Sequence, residues 1–370
     1  MTVGYHAPLP PAPSGVADYA AALAAALARH VRIDLNPARD CDQELYHLGN
    51  NRLHAAIYRR ALTRPGVAVL HDAVLHHFLL GTMSREQYIE EFVYNYGEWT
   101  RDLAAGLWER RACSSQDPRF FRYPLLRRVA AGSRAIIVHN PAASRMVREH
   151  APDTPVFEIP HLYAATDPPG PAAVRRLRAR WGVRPAAAVF GVFGYLRETK
   201  RLSRILRAFR IVRREAPEAR LLVAGRFASA DLERFLADAW REPWVIRAGY
   251  LSRPDFALHA AAVDVCVNLR YPGAGETSGI AIQTMGIGKP TIVTQGEENA
   301  GFPETACIRV DAGPAEETTL AAVMCWLARD RDARIEIGRR AAAHIREHHA
   351  PAFCASLYAR VLCPTAGAAA

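Results

Sequence analysis

Short apolar runs alternate along the chain with longer stretches whose apolar positions recur at helical spacing. Runs at residues 2–6, 31–35, 66–70 and 135–139, then 188–193, 220–225, 263–269 and 291–294, read as strands. Between them lie helices such as 16–30 and 201–215. The second places Leu202, Ile205, Leu206, Phe209 and Val212 on one stripe and arginines on the other side, so the stripe is a core face. Strand, helix, strand in succession predicts parallel sheets. Near residue 165 the chain reads Tyr-Ala-Ala-Thr-Asp-Pro-Pro-Gly-Pro, which stops both helix and strand and is the expected interdomain linker. The predicted class is α/β, with two Rossmann-like domains, 1–168 and 169–363, facing across a cleft. The last helix has room to pack back on the first domain, and 364–370 is expected to be a disordered tail.

A length of 370 residues with 50% hydrophobic composition suits two cores. The longest apolar run, from Tyr19 to Ala28, is far too short to span a bilayer, and the start of the chain reads as a strand, not a leader. A cytoplasmic location is the expectation. The 7 cysteines are scattered with no C-x-x-C pair and read as reduced small hydrophobes. The formal charge of +10 comes almost wholly from arginine, Lys200 and Lys289 being the only lysines. That bias reads as compositional, and no nucleic-acid module accompanies it. A nucleotide diphosphate or an anionic lipid surface could answer the same charge.

Open α/β sheets bind ligands beyond the carboxyl ends of their strands, so the chemistry is sought in loops that follow strands. The loop Gly194-Tyr195-Leu-Arg197-Glu-Thr-Lys200-Arg201 leaves a buried strand and opens a helix, so free backbone N–H groups and three cations converge there as an anion site; a solvated basic turn is the plainer alternative. Glu276-Thr277-Ser278-Gly279 heads the next such helix. Thr277 or Ser278 serves as N-cap, Gly279 lets a ligand approach the backbone, and Glu276 either accepts hydroxyl hydrogen bonds or answers the helix dipole. In the first half Gly15 precedes a helix, and His71-Asp72 closes a strand, as a ligand contact or as a core histidine with a helix cap. Glycines 273, 275 and 279 have dehydrogenase-like spacing but stand far from the start of either domain. Gly288-Lys289-Pro290 lacks the P-loop hydroxyl, and Asp330-Arg-Asp332 reads as a solvated turn between helices. No metal-ligand spacing is found.

Taken in order, Pro8-Leu-Pro-Pro11, Ser14-Gly-Val-Ala-Asp18-Tyr19, Leu48-Gly-Asn50-Asn51, Val69-Leu-His-Asp72, Val138-His-Asn140, Ile159-Pro-His161, the 194–201 loop, Asn268-Leu-Arg270-Tyr271-Pro272 and Gly275-Glu-Thr-Ser-Gly279 followed by Gly288-Lys-Pro290 resemble the family-4 retaining glycosyltransferases of the GT-B fold. The resemblance runs through nearly the whole chain and implies a nucleotide-sugar-binding second domain and an acceptor-binding first domain. It assigns the donor diphosphate to Lys200, with Tyr195 standing where the family has arginine and Arg197 or Arg201 as substitute. Glu276 falls one residue late for the family's sugar-contacting glutamate, and Gln283 takes the place of its ribose-contacting one. Gly15 lies under the phosphates and His71 near the transferred sugar. Arg226 and Tyr250, after later strands, are expected to line the base pocket. Asp18, Asn50, Asn51 and Asp72 fall on the acceptor side.

The expected activity is sugar transfer from a nucleoside-diphosphate sugar to a hydroxyl of a saccharide, lipid-linked or small-molecule acceptor, with retention, without metal or cofactor, and with Glu276, His71 and Lys200 as catalytic groups. A catalytically impaired nucleotide-sugar-binding protein and a dehydrogenase are the competing readings. Residues 119–128 mix cations and aromatics. They are either an interfacial segment giving weak peripheral contact with the inner membrane face, or the start of a helix with buried Phe and Leu, which the general behaviour of such stripes favours.

Overall fold

The computed structural model describes residues 1–363; the expected tail at 364–370 lies outside the described residues. The chain divides into two compact units. The first holds residues up to Ala164, the short piece Pro272–Thr277 and the described residues from His348 to Cys363; the second holds Ala165–Tyr271 and Ser278–Glu347.

In the first unit the strands are β1 (Thr2–His6), β2 (Arg32–Leu35), β3 (Gln43–Leu48), β4 (Val67–Leu70), β5 (Ala135–Val138) and β6 (Val156–Glu158). They form one parallel sheet in the order β2-β1-β3-β4-β5-β6. The chain reverses its direction of growth between β1 and β3, which makes that pair the switch point where loops part and leave room for a ligand. One face is covered by a core containing Leu70, Phe78, Phe92 and Phe120. The other carries Tyr5, Tyr19, Leu23 and Tyr358, because the helix Pro351–Leu362 packs on Gly15–Leu27 with the hydroxyls of Tyr19 and Tyr358 2.9 Å apart.

The second unit contains β7 (Val189–Phe193), β8 (Arg220–Ala224), β9 (Val245–Gly249), β10 (Val265–Asn268), β11 (Thr291–Thr294) and β12 (Ile308–Val310), ordered β12-β11-β10-β7-β8-β9 and parallel throughout. Its switch point is β7/β10. The helix Leu202–Glu215 buries Leu202, Ile205, Leu206, Phe209 and Val212 against β7 and β8, and its outer arginines meet Glu317, Arg207 Nη2 at 2.7 Å.

Four strands escape the sequence pattern: β3, β6, β9 and β12. The central β3 is masked by buried polar residues, among them Glu44, whose carboxylate lies 2.7 Å from His6 Nε2. The others are edge strands, two of them only 3 residues long, with partly exposed faces and hence weak apolar runs. No helix among the described residues is long and apolar enough to cross a membrane. In the 119–128 segment Phe120, Leu125 and Leu126 are buried in the core, and Arg119 pairs with Asp117 at 2.6 Å, so the larger apolar groups of that stretch face inward.

Candidate functional site

At the β7/β10 switch point, Gly194 follows β7 in a left-handed conformation, φ 95°. A Cβ placed on it would lie 3.4 Å from Ile280 Cγ1 and 3.7 Å from Lys200 Cε. Lys200 and the first turn of the helix Gly279–Gly286 therefore crowd together against a residue without a side chain. That helix begins at Ser278, whose Oγ accepts from Ala281 N at 3.3 Å; of the two expected N-caps, Ser278 is the one used. Lys200 is only 5% exposed, so its ammonium is a fixed charge close to β10, where it acts on the buried Cys266 thiol against the upward push of burial. Gln283 is half-buried on the same helix.

The rest of the 194–201 loop is arranged differently from the simple picture of three free cations. Glu198–Lys200 is a 3-10 turn, and Arg201 follows at φ 58° before the helix Leu202–Glu215 begins. Arg201 Nε reaches both oxygens of Glu316, at 3.1 and 3.0 Å, and Glu316 is 1% exposed. Of the two arginines expected to substitute at the Tyr195 place, Arg201 is thus held by a carboxylate inside the second unit. Arg197 is exposed, its guanidinium 5.4 Å from the centre of the Tyr195 ring. Arg226, just beyond β8, stands in the same relation to Tyr250, just beyond β9, at 5.5 Å. The two expected base-pocket residues are therefore brought together as an exposed cation–π pair.

Glu276 and Thr277 belong to the piece of chain built into the first unit. Glu276 Oε2 accepts from Ala274 N at 2.7 Å. Thr277 Oγ1 donates to His139 O (3.1 Å) and accepts from Asn140 Nδ2 (3.0 Å), which also donates to Gly275 O (3.0 Å). Ala73 N and Val74 N both donate to Ala274 O, at 2.9 and 3.0 Å. Gly275 has φ 68°, and a Cβ on it would fall 2.6 Å from that of Ala73, so only glycine fits this close approach. Residues 273–277 are thus a loop anchored on β4 and β5 neighbours, not the phosphate turn of a dinucleotide fold.

Elsewhere in the first unit, Gly15 opens the helix Gly15–Leu27 with open space where a Cβ would sit, and Asp18 is exposed in its first turn. Asp72 does not cap the following helix; its Oδ2 accepts from Asn50 N at 2.9 Å and ties the β3 and β4 loops together. Asn50 Oδ1 accepts from Phe78 N (2.7 Å), while Asn51 caps a short turn through Leu53 N (3.0 Å). Both asparagines are thereby engaged in shaping loops.

His71 is 7% exposed and belongs to a cluster that the sequence does not announce. His47 near the end of β3, His71 after β4, His139 after β5 and His161 after β6 surround the Tyr19 ring at centroid distances of 6.1, 4.8, 5.3 and 4.6 Å. Burial, and then the neighbouring imidazoles, hold His71 and His47 well below the ordinary imidazole range. Burial takes His139 down to about 4 and His161 to about 3. All four rings are neutral at pH 7. The only signal for them is a histidine at or just past the end of successive strands. Among the described residues no group of three or more His, Cys, Asp or Glu could hold a metal, and Asp330 Oδ1 caps the next helix through Ala333 N (2.8 Å).

Comparison with known proteins bears on this arrangement. Residues 187–330 match the family described as Glycosyl transferases group 1. No curated protein matches the chain. Among solved structures, HepE from Anabaena, in complex with UDP and glucose, is 14% identical over 98% of this chain and 99% of its own, with a TM-score of 0.68. Sucrose-phosphate synthase from Thermosynechococcus elongatus is 14% identical over 98% of each chain, at 0.66. WaaG, a glycosyltransferase involved in lipopolysaccharide biosynthesis, is 13% identical over 99% of this chain and 100% of its own, at 0.63. At these identities the likeness establishes the fold: two six-stranded parallel sheets flanked by helices, as in GT-B proteins.

Proposed function

We propose that the protein transfers a sugar from a nucleoside-diphosphate sugar to an acceptor hydroxyl, with retention of anomeric configuration and without a metal. The observation that carries this reading is the convergence of Lys200 and the first turn of Gly279–Gly286 on Gly194. A buried ammonium and a helix N-terminus meeting at a switch point offer fixed positive potential to a diphosphate. Charge that develops on the leaving diphosphate is stabilised there at no reorganisation cost, and loss of one such donor costs about 10²–10³ in turnover. The diphosphate itself takes the acceptor's proton, so no protein base is required. Glu276 and His71 orient the transferred sugar. The group 1 match over 187–330 and the UDP and glucose bound to HepE support this choice of donor, and make UDP-sugars the first to be tried.

The test is incubation of the full chain with UDP-, GDP- and ADP-sugars and a panel of glycan, lipid-linked and small acceptors, with and without EDTA, the product's anomeric configuration being read by NMR. Retained configuration and insensitivity to EDTA are expected; an inverted product rejects the mechanism. A Glu276→Ala protein with full turnover removes the sugar-site assignment. The engagement of Arg201 by Glu316 favours one other reading, a nucleotide-sugar-binding protein without catalysis. Calorimetry showing tight donor binding with neither hydrolysis nor transfer selects it.

A further inference from the structure

His47 is fully buried in β3, beside the switch point of the first sheet, and touches no ligand role assigned above. Its Nδ1 lies 3.0 Å from His71 Nε2. Between two neutral imidazoles this contact holds one proton, belonging either to His47 Nδ1 or to His71 Nε2. We propose that His47 is a positioning residue: it donates from Nδ1, which fixes His71 in the tautomer protonated at Nδ1 and makes that atom a hydrogen-bond donor.

The choice follows from the other nitrogen of His47. Nε2 is buried and has no hydrogen-bond partner, and the His47 ring that carries it packs against the Tyr5 and Tyr19 rings, at centroid distances of 4.7 and 6.1 Å. If His47 accepted at Nδ1, its proton would sit on Nε2 as a buried donor with no acceptor. If it donates, Nε2 keeps a bare lone pair, which is the less costly and commoner orphan. The surroundings show the same preference twice over. His54 Nδ1 meets His47 O at 2.9 Å and His139 Nδ1 meets Ile159 O at 2.8 Å. A carbonyl can only accept, so both rings are protonated at Nδ1, and both leave Nε2 buried without a partner.

The cluster keeps both rings neutral. Burial, then His139, His54 and His6, disfavour a charge on His47; burial, then His47, His139, His161 and His54, disfavour one on His71. Tyr19 packs on both rings and Asp72 adjoins His71 in the chain. With its Nε2 occupied as an acceptor, His71 carries its own proton on Nδ1. That atom gives a hydrogen bond to an oxygen; it does not remove a proton. Resting on the reading that His71 meets the transferred sugar, the partner is a sugar oxygen, and His71 is a donor that orients it and not a general base.

The test uses the full chain labelled with ¹⁵N-histidine at pH 7.5, with long-range ¹H–¹⁵N correlation and His71 assigned by comparison with His71→Gln. The proton of His71 is expected on Nδ1; a proton on Nε2 overturns the proposal. His47→Leu should release His71 into a mixture of tautomers and lower kcat about 10-fold, in the range usual for partners that orient a functional histidine. His47→Asn, whose amide can donate from the same place, should restore both. A folded His47→Asn protein with the tautomer still mixed also overturns the proposal. If His47→Leu does not fold, the wild-type spectrum alone decides. Absence of sugar transfer by the wild type refutes the proposed function instead, since the tautomer is read without turnover.

Discussion

Four histidines held neutral in one cluster make the first unit sensitive to mild acid, and the size of the effect can be worked out. An imidazole whose folded pKa lies below its unfolded value of about 6.5 binds fewer protons in the folded state. Its contribution to stability is complete above pH 6.5 and is lost as the pH falls through that value towards the folded pKa. For His139, at about 4, moving from pH 7 to pH 5 removes roughly 2 kcal/mol. His161, at about 3 but partly exposed, adds about 1 kcal/mol. His47 and His71 act in the same direction, so the first unit should lose about 3 kcal/mol or more over these two pH units. Depressed carboxylates do not confuse the measurement. Asp117, held at about 2 by the Arg119 guanidinium, keeps its contribution until the pH drops below about 4. Urea unfolding at pH 7 and pH 5, followed for wild type and His139→Asn, reads the effect. The asparagine amide can still donate to Ile159 O but cannot titrate, so its pH dependence should be smaller by about 2 kcal/mol. A variant that loses as much stability as wild type between these pH values refutes the reasoning.

Two further substitutions probe the second unit. Glu316→Gln leaves the Arg201 guanidinium without its buried counter-charge; because Arg201 keeps some access to water, a loss of about 2–3 kcal/mol is expected in denaturant unfolding, and a loss under about 0.5 would show that the pair carries little. Gly194→Ala meets its neighbours at ordinary contact distances, so its cost is the left-handed backbone, about 1–2 kcal/mol, seen as a lower Tm. An unchanged Tm contradicts the conformation described for that loop.

The strand and helix alternation was legible because most strands here are buried on both faces and most helices carry one apolar stripe. The loops that follow β7 and β10 were legible for the same reason: they lie where a clear strand hands over to a helix, and Gly194, Lys200 and Ser278 sit in them. What the sequence hides is long-range pairing. Nothing local indicates that Arg201 is claimed by Glu316, 115 positions away, or that Asn140 grips Gly275 and Thr277 across 135 and 137. The histidine cluster is hidden likewise, since each ring looks like an isolated strand-end residue until the parallel sheet aligns β3 to β6. The central β3 shows a second limit: a strand that buries Glu44 and His47 through specific partners does not look apolar.

The claim on which the functional account turns is that the crook formed by Gly194, Lys200 and the start of Gly279–Gly286 grips a diphosphate. Isothermal titration of UDP, GDP and ADP against wild type and Lys200→Met tests it directly, methionine keeping the volume of a side chain that is 5% exposed. The account predicts that wild type binds at least one of these nucleotides and that Lys200→Met, with unchanged thermal unfolding, binds it about 10- to 100-fold more weakly, the usual value of a hydrogen bond to a charged group. Equal affinity for the two proteins, or no binding of any of the three by wild type, contradicts it.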